Sequence, residues 1–139
     1  MGKIIRSINI NAKLADVWPY FTDSQKIADW LMPNTFEALQ GSKFTMDCPP
    51  EAGAGEVVEC QVKQLKPPKN GMAQLVYTWV INNPYTETLL ELELVETAGT
   101  TRVNLCHSGW ELGQSDHKTR HEMGWDHLLI NALIPLIEV

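Results

Sequence analysis

Five clusters of turn-forming residues interrupt the chain between Thr35 and Leu112, and none of the gaps between them holds both a strand and the dozen or more residues of a parallel crossover. The clusters are Gly41-Ser42, the run from Pro49 to Gly55, the run from Pro67 to Gly71, Asn82-Asn83-Pro84, and Ala98-Gly99-Thr100. The segments they separate must pair with sequential antiparallel neighbours, and six strands fit there. Ahead of them, Ile4 to Ile10 alternates polar and apolar residues from Arg6 onward, as a strand with one covered face does. The expectation is therefore a seven-stranded antiparallel sheet.

Elsewhere the period changes to that of a helix. Leu14, Val17, Trp18 and Phe21 share helical spacing, and Pro19 is tolerated only in a first turn, which predicts a helix start near Ala15 or Asp16. A second short helix follows, with Asp23 as N-cap, Ile27, Ala28, Trp30 and Leu31 as its apolar positions, and Pro33 as its stop. The longest helical pattern runs from about Ser115 to Ile137, with Trp125, Leu128, Leu129, Ala132, Leu133 and Leu136 on one stripe. Its first half, His117 to Glu122, reads as solvated, and Pro135 is expected to kink or end the last turn and to leave it frayed. One curved sheet wrapped around this helix, an α+β layout, buries all of these faces at once.

Parity assigns the strand faces. Phe44, Met46 and Cys48 share a side, as do Val58, Cys60 and Val62, and as do Leu75, Tyr77, Trp79 and Ile81. In the third of these strands Val76 and Val80 are also apolar, so its inward side is less sharply defined. Leu90, Leu92 and Leu94 alternate with Glu91 and Glu93, and Val103, Leu105 and His107 alternate with Arg102, Asn104 and Cys106, which turns His107 inward. A bent sheet closing on a helix leaves a space for a small apolar ligand, for which the candidate contacts are Trp30, Phe44, Met46, Val58, Tyr77, Trp79, Leu92, Leu105, His107, Trp125, Leu128 and Leu129.

The composition of the 139 residues narrows the partners. A net charge of -6 repels nucleic-acid backbones and anionic membranes unless basic residues cluster, and they do not. No run approaches the ~18 apolar residues of a membrane span and no targeting signal is visible, so the expected setting is one domain over residues 1–139 in the cytosol. Cys48, Cys60 and Cys106 are odd in number and have no CxxC spacing, which argues for reduced thiols over a disulfide framework or a zinc cluster.

Four segments resemble a known family. Asp16-Val17-Trp18-Pro19-Tyr20-Phe21-Thr22-Asp23, Ile27-Ala28-Asp29-Trp30-Leu31 and Leu105-Cys106-His107-Ser108-Gly109-Trp110 are similar to the activator-of-heat-shock-protein-90-ATPase homologues, and Gly124-Trp125 followed by Leu128-Leu129 resembles their closing helix. The resemblance, to the stand-alone bacterial type, spans nearly the whole chain. It implies the START-like, or SRPBCC, helix-grip fold, whose members enclose a hydrophobic cavity and bind lipids, polyketides and other apolar molecules. Eukaryotic members carry a separate chaperone-binding domain that has no counterpart in this sequence.

Several residues admit two readings. His107 is a ligand contact or acid–base group, or else a hydrogen-bonded structural histidine; no nucleophile elbow, phosphate loop or close acid pair accompanies it. His117 and His121 have a metal-compatible spacing, but the HExxH pattern fails, and a solvated face is the plainer reading. Trp30, Trp79 and Trp125 line a cavity or fill the core. Gly124 costs the helix about 1 kcal/mol relative to alanine, offset by close packing or by a cavity entrance, the former being the simpler. The Pro49 to Gly55 loop is a gate or a plain turn, and Glu87, Glu91 and Glu93 are a docking face or a solvated one. The expected function is binding of a small hydrophobic molecule without chemistry, cofactor or metal. A co-chaperone stimulating a heat-shock-protein-90 ATPase is the alternative, and a cyclase or hydrolase the third possibility.

Overall fold

The computed structural model describes residues 2–48, 56–81, 87–111 and 115–139. Strand β1 (Gly2–Ile10) leads into three short helices, α1 (Leu14–Val17), α2 (Pro19–Thr22) and α3 (Ser24–Trp30). Strands β2 (Lys43–Asp47), β3 (Val57–Lys69), β4 (Met72–Ile81), β5 (Thr88–Thr97) and β6 (Thr100–Trp110) follow. The chain closes with α4 (Ser115–Asp126), a π-helical stretch (His127–Leu133) and α5 (Ile134–Ile137). The strands form one antiparallel sheet in the order β1-β6-β5-β4-β3-β2, so every link from β2 to β6 joins direct neighbours, as the turn spacing requires.

Among the described residues the sheet has six strands rather than seven. Residues 35–40, expected as a strand, bend into turns after a single bridge between Asn34 and Met46. The Asn34 side chain accepts from the Phe36 N–H (3.0 Å), Leu39 N–H donates to the Glu37 carbonyl (2.8 Å) and Ser42 N–H to the Leu39 carbonyl (3.1 Å). These local bonds consume donors that a ladder would have needed. Conversely β3 runs through Pro67 and Pro68 to Lys69, because the prolines fall in a register shift between Lys66 and Lys69 where no ladder N–H is required. The β3–β4 turn is then Asn70-Gly71 alone, both at positive φ (54° and 75°), the two-residue hairpin that matches strand twist. The expected turns at Pro49–Gly55 and Asn82–Pro84 lie outside the described residues.

Pro19 also acts differently from expectation. It opens α2 rather than sitting in the first turn of one helix, with α1 starting at Leu14. The carboxylate of Glu96 on β5 accepts the Leu14 N–H at 2.7 Å and so caps α1 from across the fold. Asp23 caps α3 as expected, through the Gln25 N–H.

Alternation sorts the strands correctly. Phe44, Met46, Val58, Cys60 and Val62 are buried, as are Leu90, Leu92 and Leu94 of β5 and Val103, Leu105 and His107 of β6. On β4 Leu75, Tyr77 and Trp79 are buried, but Val76 and Thr78 are too, so its centre is covered on both faces. Trp125, Leu129 and Leu133 of the terminal helix join one hydrophobic cluster with residues from all six strands and from α1, α2 and α3. Pro135 does not end this helix. The π stretch ahead of it shifts the bonding register, with Ile134 N–H reaching the Leu129 carbonyl, and helix resumes to Ile137. The chain end is tied down by Glu138, whose carboxylate accepts the Asn11 N–H at 2.7 Å.

Gly109 is the one position in β6 that must be glycine. Its φ is 97°, and a Cβ there would sit 3.3 Å from the Glu87 carbonyl oxygen. It lies where the β1–β6 register shifts, between the Gly2–Trp110 and Lys3–Ser108 pairs, and bends the strand at that point.

Candidate functional site

A cavity of about 540 Å3 opens between one end of the sheet and the terminal helix. Leu31 and Met32, just past α3, form one wall; Cys48, Glu56, Val58, Trp79 and Ile81 come from β2, β3, β4 and their flanks. The helix contributes Arg120, His121, Gly124, Trp125, His127 and Leu128, which its period places on one face. The exposed polar members, Arg120 and His127, stand with the half-buried Glu56, whereas Trp79, Trp125 and Val58 are almost wholly buried. The result is an apolar chamber with a few polar groups at its edge, the usual composition of a small-molecule site.

Behind the chamber, three indoles and two imidazoles pack into a block. Trp79 lies 5.3 Å from His107, 5.5 Å from Trp125 and 5.9 Å from His121, and Trp110 lies 4.6 Å from His121, ring centre to ring centre. Each ring nitrogen has a partner inside the protein. Trp125 Nε1–H donates to His107 Nδ1 (3.1 Å), which makes Nδ1 the acceptor and places the proton of His107 on Nε2. His107 Nε2–H donates to Thr88 Oγ1 at 2.7 Å, and the threonine hydroxyl donates on to the Trp79 carbonyl at 2.8 Å. His121 takes the opposite tautomer, its Nδ1–H donating to the His117 carbonyl (2.7 Å) while Nε2 accepts from Trp79 Nε1–H (3.2 Å). Trp110 Nε1–H donates to the His107 carbonyl at 3.1 Å.

Electrostatics agree with neutral rings. Burial, and then the neighbouring His121, hold the His107 pKa well below its ordinary value. Burial is likewise the largest cause lowering that of His121; the bond to the His117 carbonyl opposes it, and the charges of His117 and Arg120 reinforce it. Burial raises the Cys60 thiol strongly, and burial followed by Glu56 and Asp47 raises that of Cys48, so neither is an activated thiolate. No group of three metal-ligating side chains occurs among the described residues, and no helix among them is long and apolar enough to cross a membrane.

Of the candidate contacts read from sequence, Val58, Trp79, Trp125 and Leu128 line the cavity. Trp30, Phe44, Met46, Tyr77, Leu92, Leu105, His107 and Leu129 lie in the surrounding core instead. Phe36 accounts for part of this. It packs edge-on to Phe44 (4.9 Å) and tilted to Tyr77 (6.4 Å), filling the end of the sheet that parity alone leaves open. Leu31, Met32, Arg120, His121 and His127 were not anticipated. The helix members could have been found by extending the Trp125–Leu128 stripe one turn back and one residue aside. His121 belongs to the buried block rather than to a solvated face, and the Pro49–Gly55 loop lies outside the described residues.

The family described as Activator of Hsp90 ATPase homolog 1-like protein matches residues 11–138. Among solved structures, a Mesorhizobium loti protein superposes with a TM-score of 0.86 at 23% identity, over 97% of this chain and 96% of that one. The Aha1 dimer from Colwellia psychrerythraea gives 0.82 at 20% identity, over 100% and 98%. DynU16, a protein in the dynemicin biosynthetic locus, gives 0.79 at 18% identity, over 99% of this chain and 47% of that one. At these identities the likeness establishes the fold. No curated protein matches the chain.

Proposed function

The chain belongs to the Activator of Hsp90 ATPase homolog 1-like family, and from that premise we propose that it binds a small hydrophobic molecule of lipid, polyketide or aromatic type in the chamber between sheet and helix, without chemistry. The observation that carries this reading is the chamber itself. Its volume falls within the ~300–1,000 Å3 of small-molecule sites, and its inner wall presents indole faces whose N–H groups are already committed, so it offers stacking and apolar contact rather than hydrogen bonds. A ligand's polar end would sit at the edge, near Arg120, His127 and Glu56. The sealed state of His107 argues against acid–base work there. The placement of DynU16 in a biosynthetic locus fits a small-molecule ligand for this fold.

Titration with fatty acids, flavonoids and polyketides, followed by the fluorescence of Trp79 and Trp125, tests the reading. At least one class is expected to bind with a saturable change; silence across the panel overturns it. The family description supports a second reading, docking on a chaperone ATPase through the outer surface. Unchanged turnover of a purified bacterial chaperone of the Hsp90 class on adding the protein would remove it.

A further inference from the structure

No described residue packs against Gly124 closely enough to require a glycine there. Among the described residues, a Cβ built there meets nothing within 4 Å, in contrast to Gly2, where one would meet the Lys118 side chain at 2.8 Å, and to Gly109. Its φ is helical, so no backbone strain demands it either, and close approach of the helix to a strand is excluded as the explanation. Yet a glycine inside a helix sacrifices stability relative to alanine. What Gly124 does border is the cavity. It is half-buried, with exposed Arg120 one turn before it, half-buried Leu128 one turn after, and Trp125, 3% exposed, directly behind. That sequence of exposures places it at the boundary between solvent and chamber.

We propose that Gly124 is the aperture residue of the cavity: the side chain missing there sets how bulky a molecule can pass between the terminal helix and the Leu31–Met32 wall. The inference rests on the ligand-binding reading and adds a specificity determinant to it. A side chain at 124, on the cavity lining beside Leu128, would narrow that passage, so its absence admits bulkier molecules than a branched residue there would.

The test uses the whole protein and the uncharged fluorescent probe N-phenyl-1-naphthylamine, with wild type, Gly124→Ala, Gly124→Leu and, as a control on the exposed face of the same helix, Ile130→Ala. Gly124→Ala is expected to raise Tm by about 3 °C, because alanine is the better helix former and nothing obstructs its methyl. It should weaken the probe slightly, whereas Gly124→Leu, still folded by circular dichroism, should raise Kd about tenfold or more, and Ile130→Ala should leave Kd unchanged. Wild-type affinity in Gly124→Leu, or a lowered Tm in Gly124→Ala, overturns the aperture alone. Failure of the wild type to take up any probe overturns the ligand-binding reading and the aperture with it.

Discussion

Replacing Trp125 by alanine is expected to remove about 3–5 kcal/mol of folding stability, a drop in Tm on the order of 10–20 °C for a chain of this size. Two losses combine. The indole is 3% exposed and packs 5.5 Å from Trp79, so its removal forfeits transfer free energy and enlarges an existing cavity. Its N–H is also the donor to His107 Nδ1, and without it a buried acceptor is left unpartnered, a penalty of about 1–3 kcal/mol. Trp125→Phe separates the terms, since it keeps most of the packing and loses the donor. Urea unfolding followed by circular dichroism should rank wild type above Trp125→Phe and Trp125→Phe above Trp125→Ala. A Trp125→Ala protein within about 1 kcal/mol of wild type would mean that the ring block is not a structural unit.

Acid should destabilise the protein as pH falls below about 6.5. His107 and His121 both have folded pKa values below the unfolded value of about 6.5. As pH falls through that value the unfolded chain takes up protons that the folded chain refuses. Their stabilising contribution is therefore complete above pH ~7.5 and declines as pH drops below ~6.5, until the folded rings themselves protonate. The slope for two such groups is at most about 2.7 kcal/mol per pH unit. Structure explains the refusal: protonating His107 at Nδ1 would set an N–H against the Trp125 N–H, and protonating His121 at Nε2 would set one against Trp79. Urea midpoints at pH 7.5 and 5.5 should differ clearly, and ring 15N shifts at pH 6 should show neutral rings with the proton on Nε2 in His107 and on Nδ1 in His121. Equal midpoints, or either ring titrating near 6.5, would contradict the sealed network.

Which parts of this were legible in the sequence follows from what periodicity encodes. Alternation in β2, β3, β5 and β6 gave the inward side of each strand, and the leucine stripe gave the buried face of the terminal helix, because both follow from a fixed geometric period. Parity does not say how far along a strand the helix reaches. Phe44 and Tyr77 therefore looked equivalent to Val58 and Trp79, although Phe36 covers one pair while the cavity faces the other. His121 looked solvated because its neighbours are charged; its burial depends on Trp79 and Trp110, distant in sequence and adjacent only once the sheet curves. The turns in 35–40 were hidden because the Asn34 side chain, rather than a glycine or proline, organises them. Gly124 signalled a cost without a cause, and only the empty space around it distinguishes an opening from a tight contact.

The central claim, an apolar chamber that a small molecule occupies, is tested most directly by heteronuclear NMR during titration with N-phenyl-1-naphthylamine. The account predicts saturable shifts in the indole N–H signals of Trp79 and Trp125 and in the methyls of Met32, Val58 and Leu128, with Leu94, paired with Ala73 and Val103 away from the ring block, unmoved. Shifts confined to the groove of Asn11, Lys13, Asp16 and Tyr20 at the other end of the fold, with those five residues silent at saturation, would contradict it.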